Sequence, residues 1–170
     1  MNFKVVKCLE ESLLSRLSTS FVKDNSISDE LLESFLQIYH EPIIDAFGLL
    51  DKQEKLVKEN NLTDMISENK SDMLYLVSEL VAENDTNNER NTFSGLKRSI
   101  YQVKGSIGLN SYVFKNLSYC SCEYFKLNVL NDAENIYCKH IILVKLALAM
   151  KKIQIKKFNQ KYILDLIKSA

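Results

Sequence analysis

The sequence predicts a helix-rich α+β fold: helices first, a β-hairpin running into a cluster of cysteine and histidine, then helices again. Three observations predict it. The 170 residues hold four glycines and one proline, too little punctuation for a turn-rich sandwich or barrel. Apolar residues recur at steps of three and four near both ends of the chain, the period of an amphipathic helix. Around residues 98–119 the apolar period shortens to two, as in a strand. Length and a composition of 46% hydrophobic and 26% charged residues fit one compact domain.

The first helix is predicted from Val6, Leu9, Leu13, Leu17 and Phe21, with Leu14 widening the stripe. Asp24-Asn25-Ser26 breaks it. Ser28 is placed to cap a second helix, with Asp29 and Glu30 in a first turn that favours negative charge. Leu31, Leu32, Phe35, Leu36, Ile38 and Tyr39 supply its apolar face. Pro42 restarts the chain in the first turn of a third helix, with Ile43, Ile44, Phe47 and Leu50 inward and an end near Asp51. Residues 1–58 are thus an N-terminal helical region.

Residues 59–95 change character. Eight acids (Glu59, Asp64, Glu68, Asp72, Glu79, Glu83, Asp85, Glu89) face two basic residues, Lys70 and Arg90. A short helix from Ser71 is expected, using Leu74, Val77, Leu80 and Val81. NDTNNERNTFSG then has no periodicity and reads as loop. The stretch is expected to be a partly disordered surface excursion, weakly coupled to the core.

Residues 96–170 form the third region. In SIYQV, Tyr101 and Val103 alternate with Ile100 and Gln102; KGSIGLN supplies a turn; in SYVFKNLSY, Tyr112, Phe114 and Leu117 are the inward candidates. The second strand delivers the chain to Cys120. KHIILVKLALAMKK (139–152) is a strongly apolar helix, and a last helix is predicted over 159–168 with Tyr162, Ile163, Leu166 and Ile167.

The chemistry concentrates at residues 120–140. Cys120-Ser121-Cys122 is followed, after fifteen residues, by Cys138-Lys139-His140. Three thiolates and one imidazole are a complete tetrahedral set for one structural Zn2+. In extended backbone, residues two apart point the same way, so Cys120 and Cys122 can face one ion. On a helix the same step is a rotation of about 200°. Cys138 is therefore expected just before the helix and His140 in its first turn, where the helix dipole stabilises thiolates. Phe125, Val129 and Leu130 predict a short helix packing under the metal, and Asn131-Asp132 and Asn135 turn the chain back. Buried, unligated thiols are the simpler alternative for any one cysteine, but two paired sets of metal-binding residues favour the ion. A thiol nucleophile at Cys138 beside His140 is the catalytic rival; a complete set of four ligands favours a closed structural site over it.

C-x-C-x(n)-C-x-H after a hairpin and before an apolar helix is the SWIM zinc-finger pattern. ISDELLESFLQIY, AFGLLDKQ, SIYQVKGS, YCSCEYFKLNVL and IYCKHIILVKLALAM come in an order similar to the small SWIM-domain subunit of the Shu complex. The resemblance covers residues 27–58 and 96–167. It implies zinc on Cys120, Cys122, Cys138 and His140, and a non-catalytic nuclear subunit. Such a subunit pairs with a RecA-like recombinase paralogue and promotes recombinase filament assembly on single-stranded DNA in homologous recombination repair. One position departs: the family's motif continues H-x-x-A, and here that residue is Leu143, which needs a small neighbour.

The exclusions agree with a non-enzyme. There is no G-x-x-x-x-G-K-[ST], no deaminase H-x-E and no G-x-S-x-G. No apolar run approaches the roughly 18–20 residues of a membrane span, and the start reads as mature protein rather than a signal peptide. Lys plus Arg and Asp plus Glu are 22 each, which argues against a general nucleic-acid binder and leaves room for a local basic face. Residues 139–170 hold eight lysines against Asp165. Within them Lys151, Lys152, Lys156 and Lys157 are the nucleic-acid candidates, the basis of an alternative reading as a stand-alone DNA-binding or chromatin module using basic C-terminal helices. Cys8 reads as a small hydrophobe and His40 as a helix-end residue, neither a ligand.

Overall fold

The computed structural model describes residues 3–62, 77–82, 100–104, 110–115, 118–133, 135–158, 161–162 and 165. The order is α1 (Phe3–Asp24), α2 (Asp29–Tyr39), α3 (Glu41–Leu62), β1 (Val77–Ala82), β2 (Ile100–Val103), β3 (Ser111–Phe114), β4 (Tyr119–Cys120), a π-helix (Phe125–Asn131), α4 (Lys139–Ala149) and β5 (Gln154–Phe158). One sheet orders its strands β4-β3-β2-β1-β5. All neighbours are antiparallel except β5, which runs parallel to β1.

α4 is the centre of the molecule. Ile141, Ile142, Leu143, Val144, Leu146 and Ala147 are all buried, a run that no single helix face can hold. A helix apolar all round must be covered all round. The sheet covers one side of α4, and α1 and α3 pack on it from the N-terminal region.

The helical region follows the predicted pattern with several changes, among them Leu36 of α2, which is exposed rather than inward. α2 starts after Ser28, whose backbone is extended (φ −74°, ψ 150°), and buries Leu31, Phe35 and Tyr39. α1 buries Val6, Leu13 and Leu17, but Leu9 is half exposed and Glu10 takes the inward place. In α3 the inward residues are Ile43, Ala46 and Leu50, while Ile44 is exposed. α3 also runs past Asp51 to Leu62: Lys, Gln, Glu and Leu there are good helix formers with no glycine or proline to stop them.

The largest correction lies in the acidic stretch. Residues 77–82 are not the end of a helix but strand β1, hydrogen-bonded on both sides, to β2 and to β5. Val77, Ser78 and Leu80 are buried, so this part of 59–95 is structural core rather than excursion. Val77, Leu80 and Val81 fit a helical step, yet sheet pairing on both edges overrides that local preference. The loop reading of NDTNNERNTFSG and the start of the expected helix at Ser71 lie outside the described residues.

The hairpin is present, with Tyr101 opposite Val113 and Val103 opposite Ser111. Its two faces divide cleanly. Val77, Tyr101, Val103, Val113 and Cys120 join the main core under α4. Leu80, Ile100 and Phe114 form a second cluster, with Tyr112 and Phe158 packed against it. Phe114 and Tyr112 therefore point away from α4, and Val113, not foreseen as inward, points towards it. Leu117 lies outside the described residues. After α4, Lys151 takes a left-handed conformation (φ 56°) and the Lys152 N–H reaches back to the Ala147 carbonyl at 2.8 Å, a helix stop of the kind glycine usually makes. The chain then forms β5, a strand not foreseen from the sequence. Of the last predicted helix, Lys161, Tyr162 and Asp165 are described and are helical; Tyr162 stacks on Phe158 with centroids 4.9 Å apart.

Candidate metal centre

Local structure aims each of the four predicted ligands. Cys120 ends β4, opposite Val113. The pairing continues past it: the Ser121 N–H donates to the Tyr112 carbonyl at 3.0 Å, and the Tyr112 N–H donates to Ser121 Oγ at 3.0 Å. These bonds hold Cys120-Ser121-Cys122 extended, so the two thiols fall on one side. Cys138 is the N-cap of α4 (φ −83°, ψ 163°). Its carbonyl accepts from the Ile141 and Ile142 N–H groups at 3.1 and 3.2 Å. His140 is the second residue of the helix. The non-helical N-cap resolves the splaying that a helical step of two would cause.

The donor atoms of Cys120, Cys122, Cys138 and His140 all lie within 4.8 Å of one another. Cys120 Sγ is 3.8 Å from His140 Nδ1, so this ring nitrogen faces the cysteines. Tetrahedral arms of about 2.0–2.3 Å put donors roughly 3.3–3.8 Å apart, so an ion closes this cluster with a small contraction. Cys120 and Cys138 are fully buried. Cys8 and His40 are exposed and outside the cluster.

The electrostatics favour a divalent cation. Hydrogen bonds from Cys120 and Cys138 hold the Cys122 thiol well below its ordinary range. Cys120 is pushed far up because it donates to Cys122 and Cys138 and is buried. At Cys138 the Cys120 contact lowers the thiol, but Cys122 and burial outweigh it, and it is pushed up to about 12. Three thiolates this close together need a 2+ ion, which leaves a net charge of −1. The Phe125 N–H also donates to Cys122 Sγ at 3.3 Å. Zn2+ would be held by all four side chains, with no protein position left open, and would supply structure.

The surroundings were only partly foreseen. The segment between the cysteine pairs is helical, but wound as a π-helix in which the Asp132 N–H reaches the Leu127 carbonyl. Phe125 is buried under the site and stacks edge-on against Tyr119 at 5.4 Å. Val129 packs on the core from a partly buried position. Leu130, expected inward, is 59% exposed, because the wider turn of a π-helix rotates it away. The Lys139 ammonium pairs with Asp45 of α3 at 3.2 Å. Tyr137, next to Cys138, is buried between the Tyr39 ring and the Lys145 ammonium, which lies 3.6 Å from its centroid. Leu143 is fully buried, and the same core holds the small residues Ala46 and Ala147.

A hairpin, a C-x-C turn and a helix capped by the third cysteine make a finger of the SWIM type, and residues 112–149 match the SWIM zinc finger family. Similarity to known proteins extends well beyond the finger. The chain is 25% identical over 157 residues to zinc finger SWIM domain-containing protein 7 of Mus musculus, covering 92% of this chain and 81% of that one. It is 24% identical to the Homo sapiens protein of the same name, covering 96% and 92%. To the zinc finger SWIM domain-containing protein 7 homolog of Dictyostelium discoideum it is 29% identical, covering 81% and 67%. No solved structure matches. The resemblance to the SWIM-type subunit family thus holds along most of the chain. The four lysine candidates fall apart from the metal: Lys151 and Lys152 in the turn after α4, Lys156 and Lys157 on β5.

Proposed function

We propose that this chain is the non-catalytic, zinc-structured subunit of a Shu-like complex in the nucleus. It pairs with a RecA-like recombinase paralogue, and the pair promotes recombinase filament assembly on single-stranded DNA during homologous recombination. One observation carries the reading: a four-ligand cluster sits in a chain similar, from α1 to β5, to zinc finger SWIM domain-containing protein 7. A finger borrowed by an unrelated protein would be similar over the finger alone.

The ion's role is to join parts. It ties β4 and the C-x-C turn to the N-terminus of α4, and α4 in turn carries α1 and α3. Metal binding energy is then folding energy for the surface that meets the partner. Cys138 acts as a ligand and not as a nucleophile.

The test is co-expression with the RecA-like paralogue of the same organism, with metal analysis of the purified complex. The expected result is a stable heteromeric complex with one zinc per chain, and loss of zinc and partner together in Cys138→Ser. A zinc-loaded chain that pairs with no such paralogue, yet binds DNA alone, overturns it.

A further inference from the structure

We propose that Tyr137 is a positioning residue for the metal centre, through which the packing of α1 and α2 on α4 sets the affinity for zinc. The need for such a residue arises at Cys138. An N-cap ordinarily fixes the entry of the chain into its helix with a side-chain oxygen bonded to a first-turn N–H. Cys138 offers no oxygen, and its thiol is turned to the other three ligands. The aim of Cys138 and His140 then depends on how the residue before the cap is held. In many helices that residue packs against the fourth helical one and so fixes the entry angle. Here the two are Tyr137 and Ile142, both in the main core.

Tyr137 is held from three helices. It is buried, with the Lys145 ammonium of α4 3.6 Å from its ring centroid and the Tyr39 ring of α2 6.1 Å away. A cation over a ring attracts it more strongly when both are shielded from water, and the Lys145 side chain is only 20% exposed. Lys145 and Tyr39 are in turn tied to one group of α1: Glu10 pairs with the ammonium and accepts from the Tyr39 hydroxyl. Glu10, Tyr39 and Lys145 supply no ligand, and Tyr137 is their contact beside the cluster. The other side-chain tie to the start of α4, Lys139 with Asp45 of α3, is 40% and 63% exposed and is weakened by solvent.

Coupling of this kind is reciprocal: zinc tightens α1 and α2 on α4 as far as their packing tightens zinc. The rival account is that Tyr137 only fills the core. Its loss would then lower zinc affinity no more than any core substitution of similar cost, through the linkage of metal binding to folding. The proposal rests on the metal reading of the cluster and is independent of the partner.

The experiment uses the full chain. Zinc affinity is measured by competition with a chelator, and ligand geometry by the visible absorption of the Co2+-loaded chain. Wild-type zinc content, measured first, tests the metal reading itself; the variants test the coupling. Tyr137→Leu is expected to weaken zinc binding about tenfold, the low end for groups that orient metal ligands, and to shift the Co2+ spectrum. Tyr137→Phe, which keeps the ring, should retain wild-type values of both. Leu80→Ala, in the second cluster and away from α4, costs stability and should change neither. Glu10→Gln on α1 is expected to weaken zinc binding about fivefold in the wild-type background and to add nothing to Tyr137→Leu. Wild-type affinity and spectrum in Tyr137→Leu, an equal loss of affinity in Leu80→Ala, or the same loss from Glu10→Gln in both backgrounds each overturns the proposal. Should Tyr137→Leu fail to fold, Glu10→Gln weakening zinc no more than Leu80→Ala overturns it.

Discussion

Lys145 of α4 donates a hydrogen bond to the carboxylate of Glu10 in α1, joining residues 135 positions apart. Glu10 also accepts from the Tyr39 hydroxyl of α2. Three helices thus meet on one carboxylate that is 5% exposed. Removing one member of a buried pair strands the other charge, at a cost of about 3–5 kcal/mol. Lys145 is partly open to solvent, so Lys145→Met is expected to destabilise the zinc-loaded chain by about 3 kcal/mol, at the lower end of that range. Glu10→Leu combined with Lys145→Met should recover much of the loss. Urea denaturation at neutral pH measures both; a double variant no better than the single would show that the pair contributes by packing rather than charge.

The same network sets a pH dependence at the alkaline end. Burial first, and then the hydrogen bond to Glu10, push the Tyr39 phenol far above its ordinary value of 10.0. A raised folded-state value means stability is intact below the unfolded value and falls above it, because the unfolded chain releases a proton that the folded one keeps. Each pH unit above 10 costs about 1.4 kcal/mol. Wild type should therefore lose stability more steeply than Tyr39→Phe between pH 10 and 11. Parallel slopes would remove Tyr39 from the network.

His40 joins α2 to α3 with φ 55° and ψ −145°. Its N–H is satisfied by the Leu36 carbonyl at 2.9 Å, but the backbone sits near a region that suits glycine, and such residues cost of order 1–3 kcal/mol. Its side chain is exposed. His40→Gly is expected to raise stability by about 1 kcal/mol, read as an increase in the urea midpoint with an unchanged slope.

The metal cluster was legible in the sequence because its information is local. Two residues apart on extended chain and two apart across an N-cap fix where donors point, and Cys120, Cys122, Cys138 and His140 converge as that spacing requires. β1 was not legible. Its acidic neighbourhood and its apolar spacing describe a solvated helix, and only the long-range partners β2 and β5 make it a strand. β5 was hidden likewise, since five residues with two lysines carry a weak period. The burial of Glu10 in place of Leu9 was hidden for a different reason: it depends on Lys145 and Tyr39, which no reading of α1 alone supplies.

Zinc removal should act on the fold before anything else. The ligands bind as thiolates and neutral imidazole, so acidification releases the metal by returning protons to them. Chelation is expected to expose Cys120 and Cys138, both fully buried, to a thiol reagent, and to raise amide exchange across β4, the π-helix and the first turn of α4. Cys8, exposed and outside the cluster, should react equally with and without metal and serves as the internal reference. Rapid labelling of all four cysteines in the zinc-loaded chain would contradict a closed site.

Leu143 tests whether the departure from the SWIM pattern is accommodated or strained. The residue is fully buried in α4, between the sheet and the N-terminal helices, and the same core contains Ala46 and Ala147 as small residues. Were Leu143 overpacked, trimming it to the family's alanine would relieve strain and stabilise. If the core has instead redistributed volume, with Ala46 and Ala147 making room for it, trimming opens a cavity. Full burial without exposed edges favours the second case, so Leu143→Ala is expected to cost about 3 kcal/mol, within the range for buried leucines. A compensating Ala46→Val should recover part of it by refilling the space. A gain in stability for Leu143→Ala alone, measured on the zinc-loaded chain, would reverse the conclusion and mark this position as the strained point of the finger.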